Sequence, residues 1–161
     1  MSFRMTIAAV ATIVALAPVS AHASSGYRTV LGVGSGEATV NTATMQVGST
    51  VDVWLSHVGR GTVHFQAQAT RADGIVRAVG PFSISTPSGD QLTGSGSLVG
   101  VGPTLVPHPV GFIMTITGGT GRFTGASGTL ATAPMMTPRL PFSPPVLNEK
   151  LESAVHGFID A

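Results

Sequence analysis

The chain contains no cysteine, and few of its side chains carry a charge. Its 161 residues include 8 Lys or Arg and 7 Asp or Glu, so charged residues make up 9% and the formal net charge is +1. The absence of cysteine excludes disulfide bonds, thiol catalysis and zinc–thiolate sites. Binding to nucleic acid or to anionic lipid usually needs a basic excess, which is missing here. We therefore expect no nucleic acid as a partner.

Glycine, by contrast, is abundant, with 21 residues, and Thr, Ser and Val are frequent. This composition is poor in helix formers and rich in residues of strands and turns. The stretch "GTVHFQAQAT", residues 61–70, alternates apolar and polar side chains, which predicts a half-buried strand. Asp73-Gly74 then predicts a hairpin turn, because both residues tolerate positive φ. Further strands are predicted at residues 28–40, 50–58, 75–85, 91–101, 110–117 and 128–133 and near the C-terminus.

Many short strands separated by turns predict a sandwich or a barrel, and no helix of normal length is expected after residue 23. Gly94 and Gly96 lie two apart, on one face of their strand, where they suit close backbone approach in a small closed barrel. We therefore predict an all-β fold with one small antiparallel β-barrel over residues 24–161. Pro134–Pro145 carries five prolines and predicts an extended flap rather than a central strand or a helix.

The N-terminus has the order of a secretory signal peptide. Arg4 precedes the uncharged apolar run Ile7–Leu16, Pro18 ends that run, and Ala21-His22-Ala23 fits the cleavage rule. The run is too short to span a membrane, which needs roughly 20 apolar residues. We expect residues 1–23 to be removed, the mature chain to lack a membrane span, and the protein to be periplasmic or extracellular.

The stretch "TITGGTGRFTGASGTL", residues 115–130, looks at first like a nucleotide cradle. A cradle requires a helix after the glycines, and Gly125 and Gly128 would interrupt one; a P-loop also requires a lysine that is absent. The interpretation that fits is a structural turn. Arg122 is expected at the rim of the barrel and Phe123 as a plug of its end, with positive φ supplied by Gly118, Gly119 and Gly121. Gly125 completes the predicted structural turn motif.

Three pieces of the sequence carry a family resemblance. "ITGGTGRFTGASGTL" resembles the glycine-rich signature of small exported bacterial proteins of unknown function, and "SGDQLTGSGSLVG" and "SHVGRGTVHF" resemble two of their other segments. The barrels of these proteins are similar to those of allene oxide cyclase and of plant dirigent proteins. The resemblance implies an antiparallel barrel of about eight strands. It implies no activity, because the catalytic pattern of the cyclases is missing and the Pro-rich flap is a departure.

Few residues form a pattern that carries chemistry. The serine hydrolase motif GxSxG is absent, and His57, His64, His108 and His156 lack the spacing of metal ligands, so we expect neither a metal nor a cofactor. Two acidic residues lie within predicted strands and could point inward as ligand anchors or outward into solvent. An aromatic, an imidazole and a guanidinium near a strand end could frame a barrel mouth or belong to core and loop. The candidate ligand-binding residues are therefore Glu37, Asp52, Trp54, His57 and Arg60.

These observations leave three functions open. The first is an exported, non-catalytic barrel that binds a small apolar ligand or another protein. The second is a cyclase-like or isomerase-like barrel enzyme acting on a hydrophobic substrate, since such catalysis needs few polar groups. The third is a structural surface protein that self-associates as a homo-oligomer.

Overall fold

Nine β-strands and one turn of 3-10 helix make up the described part of the chain. The computed structural model describes residues 26–101, 108–139 and 145–161, so the predicted signal peptide lies outside it. The 3-10 turn spans Gly121–Phe123. The strands are β1 (Arg28–Asn41), β2 (Gln46–Leu55), β3 (Gly59–Ala72), β4 (Ile75–Ser85), β5 (Gln91–Val101), β6 (His108–Gly119), β7 (Ser127–Thr132), β8 (Met135–Pro138) and β9 (Val146–Asp160).

Eight of these strands close into a barrel. Strands β1 to β6 pair in sequence order, β6 pairs with β7, β7 with β9, and β9 returns to β1. Every one of these pairings is antiparallel. The predicted all-β fold with a single antiparallel barrel of about eight strands is therefore confirmed. Within the described ranges, the 3-10 turn is the only helical segment.

The Pro-rich segment departs from its prediction. Met135–Pro138 is not a flap but a strand, β8, in addition to the eight strands of the barrel. It pairs antiparallel with residues 149–152 of β9. Strand β7 pairs with the C-terminal half of β9 in the same register, so β7 and β8 follow one line that is interrupted between them. Pro134 lies in that interruption, where its missing N–H breaks the ladder without preventing the chain from pairing again. Residues 140–144 of the predicted flap lie outside the described residues.

The core fills the interior of the barrel. Side chains alternate inward and outward along each strand, and the inward ones are mainly Val, Leu, Ile and Phe. Phe65 and Phe112 meet across the interior with ring centroids 4.8 Å apart. Strand β5 contributes no side chain at Gly96, and the two rings occupy that space. The predicted close approach of another backbone is found at Gly94, beside the Thr115 carbonyl group, whereas at Gly96 the close neighbours are aromatic side chains.

Candidate functional site

The glycine-rich turn lies at one end of the barrel. Gly121 and Gly125 have φ values of +58° and +80°, and between them the chain turns through the 3-10 segment. The prediction is wrong for Gly118 and Gly119, which are the last residues of β6 and have no positive φ, because the chain reverses only after that strand ends. The Phe123 ring is only 4% exposed and belongs to the hydrophobic core. Because no longer helix follows the glycines, this end offers no row of N–H groups of the kind that binds a dinucleotide.

Arg122 contacts three separate segments at this end of the barrel. Its guanidinium donates a hydrogen bond to the carbonyl oxygen of Val58, and its Nε lies 3.5 Å from a carboxylate oxygen of Asp90. The guanidinium carbon also lies 4.6 Å from the centroid of the Phe123 ring, within the range of a cation–π contact. One half-exposed side chain thus joins the β2–β3 turn, the start of β5 and the 3-10 turn.

The two candidate acids both lie on the outer surface of the barrel. Glu37 points away from the interior and forms an ion pair with Arg139, with 2.7 Å between the two charged atoms. Asp52 also points outward and accepts a 2.9 Å hydrogen bond from the Thr62 hydroxyl. Neither acid therefore reaches the interior, so neither can anchor a ligand inside the barrel.

The other candidates divide between the outer wall and a turn. Trp54 and Arg60 point outward from the paired strands β2 and β3, and together with Asp52 they line an open depression of about 1120 Å³. His57 lies in the β2–β3 turn with a φ of +65° and is not part of that lining. The structure thus brings three of the five candidates together, on the outer wall of the barrel.

The interior holds a small cavity. It has a volume of about 50 Å³, and its walls are mostly Val, Leu, Phe and Met. Ser49, Ser153 and Thr132 also line it. The side chain of Thr132 is 8% exposed, and its hydroxyl oxygen has no hydrogen-bond partner in the described structure. A buried hydroxyl without a partner is an exception in folded proteins.

A buried carboxyl group lies beyond this cavity, towards the end opposite the glycine-rich turn. Glu149 of β9 is 1% exposed and sits on the inward face between Leu147 and Leu151. The sequence reading missed both Glu149 and Thr132. The period-two pattern could have found Glu149, because Leu147, Leu151 and Val155 mark the inward face on which it lies.

The Lys150–Glu152 ion pair lies on the outer surface of the barrel. The Lys150 ammonium donates a hydrogen bond to the Glu152 carboxylate and attracts its charge, and both effects lower the pKa of Glu152.

Among the residues that the structure describes, no three His, Asp or Glu side chains converge as metal ligands do. No helix in the same ranges is long and apolar enough to cross a membrane.

Comparisons with known proteins find a likeness among solved structures. No protein-family model matches the chain. No curated protein matches it. Among solved structures, the chain is similar to a pterocarpan synthase dirigent protein, GePTS1, at 14% identity and a TM-score of 0.40. The similarity covers 85% of this chain and 88% of that protein. At this level the likeness is one of fold and says nothing about a ligand or a reaction.

Proposed function

We propose that the chain is a non-catalytic binding module that holds a small, mainly apolar molecule inside its β-barrel. The observation that carries the proposal is the hydroxyl group of Thr132, which is buried without a hydrogen-bond partner in the wall of the interior cavity. Leaving such a group unsatisfied costs about 1–3 kcal/mol. A ligand that hydrogen-bonds to Thr132 removes that cost, so the site is poised for an occupant with one polar atom.

The chemistry of the cavity wall supports the same reading. Small-molecule sites are mostly apolar and carry a few polar groups that fix orientation. The apolar part here includes Val63, Met114 and Leu151, and the polar part is three hydroxyl groups. A hydroxyl both donates and accepts hydrogen bonds, so Thr132 suits an alcohol, an aldehyde or a ketone. No charged group is needed on the ligand.

The size of the cavity limits the occupant. Pockets for drug-sized ligands measure about 300–1,000 Å³, far above the 50 Å³ found here. The occupant is therefore a molecule of a few heavy atoms, or the apolar end of a longer one. Met136 is half-buried in the cavity wall, and its flexible thioether can rearrange to admit a longer chain.

This proposal is tested by native mass spectrometry of the protein purified from its own host, followed by extraction of the protein into organic solvent. We expect a reproducible small adduct that leaves on unfolding, and a lower occupancy in Thr132→Val. Thr129→Val is the matched control, because Thr129 lies on the same strand but points outward. A clean apo mass that persists after incubation with short alcohols and ketones would contradict the proposal.

A second candidate is an enzyme that converts a hydrophobic molecule in the same interior, and Glu149 favours it. A carboxyl group held inside an apolar barrel is the type of group that serves as general acid or base. In that case the extracted molecule should change on incubation with the protein, and Glu149→Gln should stop the change while leaving the adduct in place. An extracted molecule that returns unaltered would favour the binding module.

We also propose that the chain works outside the cytoplasm. The support is the order of Arg4, the apolar run Ile7–Leu16 and Ala21-His22-Ala23, which lies outside the described residues. The intact mass of the exported protein should correspond to a chain that begins at Ser24. A full-length mass in the exported fraction would refute the cleavage site.

A further inference from the structure

The hydrogen-bonded wall of the barrel is incomplete beside β8. Strand β6 pairs with β7 only from Phe112 onward, so residues 108–111 are paired with β5 alone among the described strands. Strand β8 in turn pairs with β9 and not with β6. We call the boundary between residues 108–111 and β8 the seam. No backbone ladder of the described strands crosses it.

The seam is too narrow to take another strand. The Cα atoms of β6 and β8 come within 8 Å of each other. An added strand would need about 4.8 Å to each of its two neighbours. A peptide therefore cannot complete the sheet here, whereas a small molecule needs only side chains to move aside.

The interior cavity comes closest to solvent at the seam. The apolar residues that line the cavity are buried except for Leu98, Phe112 and Met136, which are partly exposed. Met136 lies on β8, and Phe112 is the residue at which the pairing of β6 with β7 begins. Leu98 is the partner of Phe112 on β5. The exposed part of the cavity wall thus coincides with the missing ladder.

The two ends of the barrel are more fully covered. Phe123 covers one end and is 4% exposed. Near the other end, Val40 of β1 and Leu147 of β9 are 7% and 4% exposed. Met45, in the turn between β1 and β2, is partly exposed and packs against the core. That end is therefore the competing route into the interior.

We propose that the seam is the port through which a neutral, mainly apolar ligand enters the interior cavity, and that Met136 is its gate. The inference rests on the proposed function, because a port needs a ligand site behind it. The Met136 side chain is unbranched and flexible, so it can move aside without breaking a hydrogen bond of the ladder. Because the partly exposed side chains at the seam are apolar, a charged molecule would lose its hydration there without compensation.

The port is tested with a single thiol, since the chain has no cysteine. Thr132→Cys places that thiol in the cavity wall, where the small neutral reagent methyl methanethiosulfonate converts it into a methyl disulfide that mass spectrometry detects. In this background, Met136→Ala should raise the labelling rate at least about tenfold. Met45→Ala is the matched control, because Met45 is also partly buried against the core but lies at the barrel end. It should change the rate by less than about twofold.

Two further thiols separate entry from unfolding and from reagent chemistry. Val30→Cys lies in the core outside the cavity, so Met136→Ala should accelerate its labelling far less than that of Thr132→Cys. Thr129→Cys points outward and gives the intrinsic rate of each reagent. Relative to that rate, an anionic methanethiosulfonate should label Thr132→Cys more slowly than the neutral one.

Two labelling results would overturn the port. A larger acceleration in Met45→Ala than in Met136→Ala would assign entry to the barrel end. Equal acceleration of the Val30→Cys and Thr132→Cys thiols by Met136→Ala would mean that the variant merely unfolds more often. Binding of 1-butanol to wild type, followed by NMR at the Met114 methyl group, tests the interior site separately. Without such binding the site and its port are both refuted. With it, unaccelerated labelling in Met136→Ala refutes the port alone.

Discussion

The backbone of Gly96 lies directly against the ring of Phe112. A Cβ atom on Gly96 would stand 2.7 Å from Cε2 of Phe112 and 2.8 Å from Cε2 of Phe65. The two rings can pack at 4.8 Å across the interior because β5 carries no side chain at this position. The missing side chain at Gly96 therefore lets the Phe65 and Phe112 rings, which line the cavity, pack against the backbone of β5.

Gly96→Ala should therefore destabilise the barrel by overpacking, with a loss of about 1–3 kcal/mol in the free energy of unfolding. Gly111→Ala is the control, because a Cβ there meets no heavy atom within 4 Å and the backbone keeps a negative φ. That variant should stay within about 0.5 kcal/mol of wild type. Denaturant titration measures both, and equal losses would contradict the packing argument.

The Thr132 hydroxyl predicts an unusual gain in stability. Thr132→Val keeps the shape of the side chain and removes the buried oxygen that has no partner in the described structure. The ligand-free protein should become more stable by about 1 kcal/mol, since a desolvation penalty disappears. Thr129→Val, outward on the same strand, should change stability by less than about 0.5 kcal/mol. Loss of stability in Thr132→Val would mean that the hydroxyl already has a partner.

Arg122 and Arg139 form a matched pair for testing the closed end of the barrel. Both are half exposed, at 52% and 53%, and each forms an ion pair. Only Arg122 also binds the Val58 carbonyl and covers the Phe123 ring. Arg122→Ala should lower the free energy of unfolding by about 1–2 kcal/mol. Arg139→Ala should lower it by about 0.5 kcal/mol or less. Equal losses in thermal or denaturant unfolding would show that the extra contacts of Arg122 contribute nothing.

The Lys150–Glu152 pair predicts a pH dependence with a definite sign. The hydrogen bond and charge of Lys150 lower the pKa of Glu152, so the pair stabilises the fold above the usual glutamate pKa. That contribution is lost as the pH falls through the lowered pKa. Lys150→Met should return the Glu152 pKa towards its usual value, as measured by NMR titration of the carboxyl carbon. An unchanged titration would exclude the pair in solution.

The sequence was sufficient for the fold but not for the orientation of every strand. Alternation along β3 assigned its inward face correctly because Val63 and Phe65 are apolar and their neighbours are polar. The same rule fails on β1, where glycines and Ala38 face inward while Leu31 and Val33 face out. For Glu37 the local signal is short: only Ala38 and Val40, which face inward, place its side chain on the outer face. Which face of β1 points inward depends on its pairing with β9, and local sequence does not encode that pairing.

The prolines were misleading for a related reason. Their number argued against a central strand, and β8 is indeed the last strand in the pairing order. Whether a proline-rich segment can pair at all depends on where each missing N–H falls in the ladder. Pro134 falls in the interruption between β7 and β8, so Met135–Pro138 can still pair with β9. Asp52 is the opposite case: Val51 and Val53 beside it face inward, and alternation alone places its carboxylate outside.

The measurement that tests the central claim most directly is an NMR titration of methyl-labelled methionine with 1-butanol. Met114 and Met136 line the interior cavity, whereas the neighbouring Met135 points outward and is 71% exposed. We predict saturable shifts of the Met114 and Met136 methyl signals with Met135 unchanged, and an affinity about 2- to 12-fold weaker in Thr132→Val. Unsaturable shifts, or shifts largest at Met135, would contradict a ligand site inside the barrel.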